Sequence, residues 1–255
     1  MPLKMRAVPC LSDNYAYLIH DPESGRTAVI DVPEVAPVQA ALAEAGWSLT
    51  DILITHHHDD HIQGVDDLRA ATGAKVWGAA ADAHRLPALD HALNEGDTVT
   101  LGSERGSVID VSGHTVGHIA FLFPDSRLAF TADSLMALGC GRLFEGTPDQ
   151  MWASLTKLMA LPDDTLICSG HDYSKGNAAF ALSVDPDNPD LTARIAQMDA
   201  DRDAGKPMAV VTLGVEKATN PFLRAGQDYL KERHGMQGAE DRKVFAHLRG
   251  LKDTF

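Results

Sequence analysis

Thr55-His56-His57-His58-Asp59-Asp60-His61 closes the apolar run Asp51-Ile52-Leu53-Ile54 and opens the segment Ile62-Gln63-Gly64-Val65-Asp66-Asp67-Leu68-Arg69. The run has the length and character of a short buried strand, and the segment after it reads as a helix. The cluster therefore sits where a strand hands over to a helix, which is where α/β proteins put ligands. Side chains two apart at a strand end share one face, so His56 and His58 converge while His57 points away. Asp60 and His61 follow at the turn into the helix and reach a second point. Alternating imidazoles with an embedded carboxylate are a metal-ligand spacing, which sets the stretch apart from a loop that is only histidine-rich.

The rest of the chain fits an α/β layout. Asn14–His20 and Thr27–Asp31 read as strands joined by the turn-rich Asp21-Pro22-Glu23-Ser24-Gly25-Arg26. Pro37–Ala45 carries a helical pattern stopped by Gly46, and the helix after the histidines ends near Gly73, before the strand Lys75–Trp77. Short strands follow at Val99–Leu101, Ser107–Val111, Ile119–Phe123 and Arg127–Phe130, the last two joined by the hairpin turn Pro124-Asp125-Ser126 and so antiparallel. Thr147 and Pro148 open a helix reaching Leu161, ahead of a buried strand at Thr165–Cys168. Beyond His171 the pattern turns helical, at Lys175–Ser183, Leu191–Ala204, Pro221–Glu232 and Ala239–Leu251, with one strand-like stretch at Ala209–Leu213. The expected division is residues 1–172 and a helical appendage over 173–255.

Composition narrows the partners. With 255 residues the chain can bury a full core, and 44% hydrophobic with 23% charged residues is ordinary for a globular protein. A formal net charge of -14 works against nucleic acid and anionic membranes, because both require basic surface. No apolar leader or run of membrane-spanning length occurs, so the expected location is cytoplasmic. Cys10, Cys140 and Cys168 have no paired spacing and read as buried structural residues.

Three more polar residues stand just after apolar strands: His114, Asp133 and His171. Joined to the histidine stretch, they complete two ligand sets, with His56, His58 and His114 around one divalent ion, Asp60, His61 and His171 around another, and Asp133 bridging. Neutral imidazoles leave most of the metal charge available to acidify a water, so a bridging hydroxide is the expected nucleophile, oriented by Asp60 and Asp133. Nitrogen and oxygen donors suit zinc, with iron and manganese as alternatives. His118 reads as a supporting residue.

The motif T-H-H-H-D-D-H, with Gly113-His114-Thr115, Thr131-Ala132-Asp133 and Gly170-His171, resembles the metallo-β-lactamase superfamily. Within it, Asp13-Asn14-Tyr15, Gly139–Thr147, Gly170–Tyr173, Ala218–Phe222 and Arg249–Asp253 resemble the glyoxalase II family, the hydroxyacylglutathione hydrolases. The resemblance spans almost the whole chain. It implies an αββα sandwich with a dinuclear site at one edge, a C-terminal all-helical domain, and hydrolysis of S-D-lactoylglutathione to glutathione and D-lactate. It also implies glutathione contacts at Arg142, Phe144, Tyr173, Arg249 and Lys252. Arg142 stands where a lysine is common, Phe144 where a tyrosine is common, and Asp59 where a bulkier residue is frequent.

The competing readings are a nuclease, a β-lactamase, a glutathione-persulfide dioxygenase and a metal-dependent binding protein. Acidic composition weighs against the first, and the helical tail against the second. A single-iron site would leave His58 and His61 underused, and a complete ligand set weighs against a dead site. A small-molecule substrate and a monomer or weak dimer complete the expectation.

Overall fold

Strands β1 (Lys4–Cys10), β2 (Asn14–His20), β3 (Thr27–Ile30), β4 (Asp51–Leu53), β5 (Lys75–Ala79) and β6 (His91–Leu93) form one sheet in chain order. The first three make an antiparallel meander, and β3 through β6 run parallel. Parallel pairing demands crossovers: α1 (Val35–Ala45) links β3 to β4, α2 (Asp59–Ile62) and α3 (Val65–Thr72) link β4 to β5, and a single 3-10 turn at Ala80–Asp82 lies in the link from β5 to β6. All four residues of β3 and all three of β4 are buried, as expected of strands covered on both faces. Gly46 ends α1 in the left-handed region (φ 67°), and its amide donates to the carbonyl of Ala43, a conformation for which only glycine lacks a steric cost.

The structure is a computed structural model that describes residues 1–255. It comprises two compact units, Met1–Val111 with Val116–Ala132, and Ser112–Thr115 with Asp133–Phe255. The first unit adds a second sheet, in which β7 (Thr98–Leu101), β8 (Glu104–Asp110), β9 (Ile119–Phe123) and β10 (Leu128–Ala132) follow one another antiparallel. Its two sheets meet through aromatic contacts such as Tyr17 with Phe130, ring centroids 5.5 Å apart. On the other face of the first sheet, Val38, Ala41 and Leu42 of α1 and Val65 and Leu68 of α3 pack on Leu18, Val29, Ile52 and Val76.

In the second unit, strands β11 (Leu135–Met136) and β12 (Gly139–Cys140) form a small hairpin, and β13 (Leu166–Ser169) pairs antiparallel with β14 (Val210–Thr212). The rest is helical: α4 (Pro148–Met159), α5 (Ser174–Val184), α6 (Pro189–Asp203), α7 (Leu213–Thr219), α8 (Asp228–Arg233) and α9 (Asp241–Asp253). Thr147 caps α4 as expected, in a reciprocal box with Gln150. The expected boundary at 172/173 falls inside this unit. No helix is long and apolar enough to cross a membrane, and the three cysteines are free and buried.

Candidate metal centre and substrate surface

The histidine stretch leaves β4 as an extended segment and enters α2 at Asp59, so the strand-to-helix handover is where the sequence put it. His56 and His61 are fully buried, and their rings lie 4.1 Å apart. His56 Nε2 lies 3.1 Å from His58 Nδ1, and His61 Nε2 lies 3.9 Å from Asp60 Oδ2. His57 turns instead toward Asp82, its Nδ1 3.4 Å from the carboxylate. His118 is buried and stacks on His56 with ring centroids 4.6 Å apart, which makes it a wall for that ring.

Two supports in the first unit were not read from the sequence. Asp31 accepts from His61 Nδ1, Thr55 N and Thr55 Oγ1, each at 2.8 Å. With its oxygens engaged in this way, Asp31 is a partner behind His61 rather than a metal ligand, and it leaves Nε2 of that ring toward Asp60. Asn14 Nδ2 donates to the carboxylate and carbonyl of Asp60, at 3.1 and 3.0 Å. The available signal for Asp31 was its place after the apolar run Thr27–Ile30, the same context that singled out Asp133.

In the second unit, Asp133 Oδ2 lies 3.4 Å from Nε2 of both His114 and His171. All three residues are buried. His114 Nδ1 lies 2.8 Å from the carbonyl of Arg142, an acceptor only, so this nitrogen carries the proton and Nε2 keeps its lone pair. Gly141 permits that approach: a Cβ there would overlap the Asp133 carbonyl and crowd the His114 ring. Fixed tautomers, buried imidazoles and inward carboxylates are the donor chemistry of a divalent metal site, and the His/Asp cluster fits one.

The expected substrate residues divide into exposed and buried members. Tyr173, half-exposed, stacks on His171 at 4.6 Å, and the exposed Phe144 meets His114 edge-on at 5.3 Å. The Arg142 guanidinium is 6.0 Å from the Phe144 ring, and its Nε is 4.0 Å from Asp253. Lys252 donates to the carbonyl of Gly176 at 3.1 Å and lies over Phe180 and Phe255, each 5.2 Å away. Its ammonium is held below the usual lysine range, first by burial and then by Arg249 and Arg142. Arg249 is only 5% exposed; its guanidinium donates to the Cys140 carbonyl at 3.0 Å and to Asp253 at 2.9 Å, and it lies over Phe222.

Comparison with known proteins fits this geometry. Residues 12–171 match the model of the metallo-beta-lactamase superfamily, and residues 172–255 match that of the hydroxyacylglutathione hydrolase C-terminus. A hydroxyacylglutathione hydrolase of Cereibacter sphaeroides is 64% identical over 100% of both chains. Among solved structures, ETHE1 from Myxococcus xanthus superposes with a TM-score of 0.68 at 28% identity, covering 98% of this chain and 90% of that one. TTHA1623 in a di-iron-bound form gives 0.61 at 25% identity, over 86% of this chain and 100% of the other.

Proposed function

The chain belongs to the hydroxyacylglutathione hydrolase family, with the αββα metallo-β-lactamase fold and a C-terminal helical region, and on that premise we propose how its residues cleave S-D-lactoylglutathione to glutathione and D-lactate. It is an enzyme, a hydrolase of the hydroxyacylglutathione type acting on a small glutathione thioester. The observation that carries the mechanistic reading is the pair of aromatic rings against the histidines, Tyr173 stacked on His171 and Phe144 edge-on to His114, with Arg142 beside Phe144. This arrangement sets an anion-binding, partly apolar surface directly against ligand histidines.

In this reading His56, His58 and His114 would hold one ion and Asp60, His61 and His171 a second, with Asp133 available to both. Zinc is the first choice; iron, carried by the related TTHA1623 structure, and manganese are the alternatives. Divalent ions, when bound, acidify a water and polarise the thioester carbonyl. The chain's own residues do the rest. Asp31 and the Arg142 carbonyl hold the protons of His61 and His114 on Nδ1, which leaves each Nε2 as a donor. Asp60, held by Asn14, and Asp133 are the carboxylates that would orient the attacking water. Arg142 and Lys252 take the glutathione carboxylates, Tyr173 offers a hydroxyl and Phe144 an apolar wall. Arg249 contributes from behind by fixing Asp253 and Cys140. No general acid is required, because a thiol of pKa about 8.5 departs readily as thiolate.

The same reading assigns catalysis to residues 1–172, which also lend Arg142 and Phe144 to the substrate, and the remaining substrate holding to 173–255, a division supported by the bounds of the two matched models. It takes the chain as a monomer or weak dimer in the cytoplasm, where three buried free cysteines are in keeping with a reducing setting. Side-by-side turnover of S-D-lactoylglutathione, RNA, nitrocefin and glutathione persulfide tests the assignment. The expected result is efficient thioester hydrolysis alone. Faster turnover of any of the other three would overturn it.

A further inference from the structure

The turn between β11 and β12 is held almost entirely by side chains from the helical segment. The Leu138 amide donates to the Glu216 carboxylate at 3.0 Å, with Leu138 itself in the left-handed region at φ 57°. Such a backbone is disfavoured for leucine and persists where its surroundings over-determine it. Asn220 Nδ2 lies 2.9 Å from the Gly139 carbonyl and 3.3 Å from that of Met136. Asn177 Nδ2 donates to Ala137 O at 3.0 Å, and a Cβ on Gly139 would overlap the Asn177 amide. Glu216 is 0% exposed; it also accepts from Asn220 at 2.9 Å and pairs with Arg194, which neutralises its buried charge.

The two ends of that hairpin carry the metal chemistry. Asp133 stands two residues before β11, and the Gly141 amide, just after β12, donates to the Ser134 carbonyl at 3.3 Å. The next carbonyl, that of Arg142, fixes the His114 ring. A shift of the hairpin therefore moves the bridging carboxylate and the tautomer-setting carbonyl together.

We infer that Glu216 and Asn220 are positioning residues for the metal centre: by holding the turn at Met136–Gly139 they set where Asp133 and the Arg142 carbonyl lie. The helical segment then has a second task beside substrate holding. This rests on the reading of Asp133 and His114 as metal ligands.

The test measures metal affinity by competition with a chromophoric chelator, together with kcat and KM, in full-length Glu216→Ala, Glu216→Gln, Asn220→Ala and Asp133→Ala. Leu230→Ala, a buried residue of α8 outside the hairpin contacts, controls for general loss of stability. Glu216→Ala and Asn220→Ala should lose metal affinity about tenfold or more, the range seen when a ligand's supporting partner is removed. Their kcat should fall at subsaturating metal while KM stays within about twofold. Glu216→Gln keeps one acceptor for the Leu138 amide and should recover part of the affinity. Leu230→Ala should keep it all despite a lower melting temperature. If Glu216→Ala does not fold, Glu216→Gln and Asn220→Ala decide the matter. Wild-type affinity in both positioning variants, with loss in Asp133→Ala, would overturn the positioning role alone. Undiminished affinity in Asp133→Ala as well would overturn the ligand reading and this inference with it.

Discussion

Asp31 shows what a single residue reveals only in three dimensions. Its carboxylate takes hydrogen bonds from His61 and twice from Thr55 while buried to 2% exposure, and its own backbone has a positive φ of 55°. Its place at the end of an apolar run is the one signal in the sequence, and that context does not separate a ligand from a supporting aspartate. The histidine cluster is legible because its spacing carries the geometry, whereas the role of Asp31 depends on His61 and Thr55, distant in sequence. Asp31→Ala should cost roughly 10- to 100-fold in metal affinity, and unchanged affinity by isothermal titration would reject the support role.

Lys252 makes a second prediction at this scale. Its ammonium is destabilised by burial and by two neighbouring guanidinium groups, so it deprotonates below the ordinary lysine value near 10.5. Substrate affinity should accordingly weaken as pH rises toward 10, with KM climbing earlier than a free lysine would dictate, and Lys252→Arg should move that rise out of range. The sign for stability is opposite. A lowered folded pKa means the unfolded chain binds the proton more readily, so this group's contribution to stability grows as pH rises through the lowered value toward 10.5. An alkaline KM profile identical in wild type and Lys252→Arg would contradict the assignment.

At the scale of elements, local chemistry was legible wherever it was complete in the sequence. Thr147 and Pro148 announce α4 and its cap, to which the structure adds Gln150, and Thr147→Ala should cost about 1 kcal/mol in denaturant unfolding with kcat and KM unchanged. β1 was not foreseen; it carries Pro9, which an edge strand accommodates. The helix expected over Pro221–Glu232 begins only at Asp228. Asn220 Oδ1 accepts from the Phe222 amide at 3.1 Å, and this side-chain turn competes with helix initiation. β11 and β12 have two residues each, too few for any periodicity, and are shaped by Glu216, Asn220 and Asn177 from far along the chain. Arg249, expected as an exposed glutathione contact, anchors α9 through Cys140 and Asp253. Arg249→Ala should therefore lower the melting temperature, as well as raise KM, whereas Lys252→Ala should chiefly raise KM.

Across the whole molecule, a net charge of -14 repels an anionic tripeptide from most of the surface, so affinity should depend on local cations, for which Arg142 and Lys252 are proposed. Exposed charge pairs weaken with salt, and KM should rise with ionic strength more steeply in wild type than in an Arg142→Ala, Lys252→Ala double variant. The most direct test of the central claim is a metal titration of the metal-free protein, followed through hydrolysis of S-D-lactoylglutathione. The expected result is a negligible rate without metal and a plateau reached only as the second equivalent per chain is bound. A plateau at one equivalent, or full hydrolysis by the metal-free chain, would contradict it.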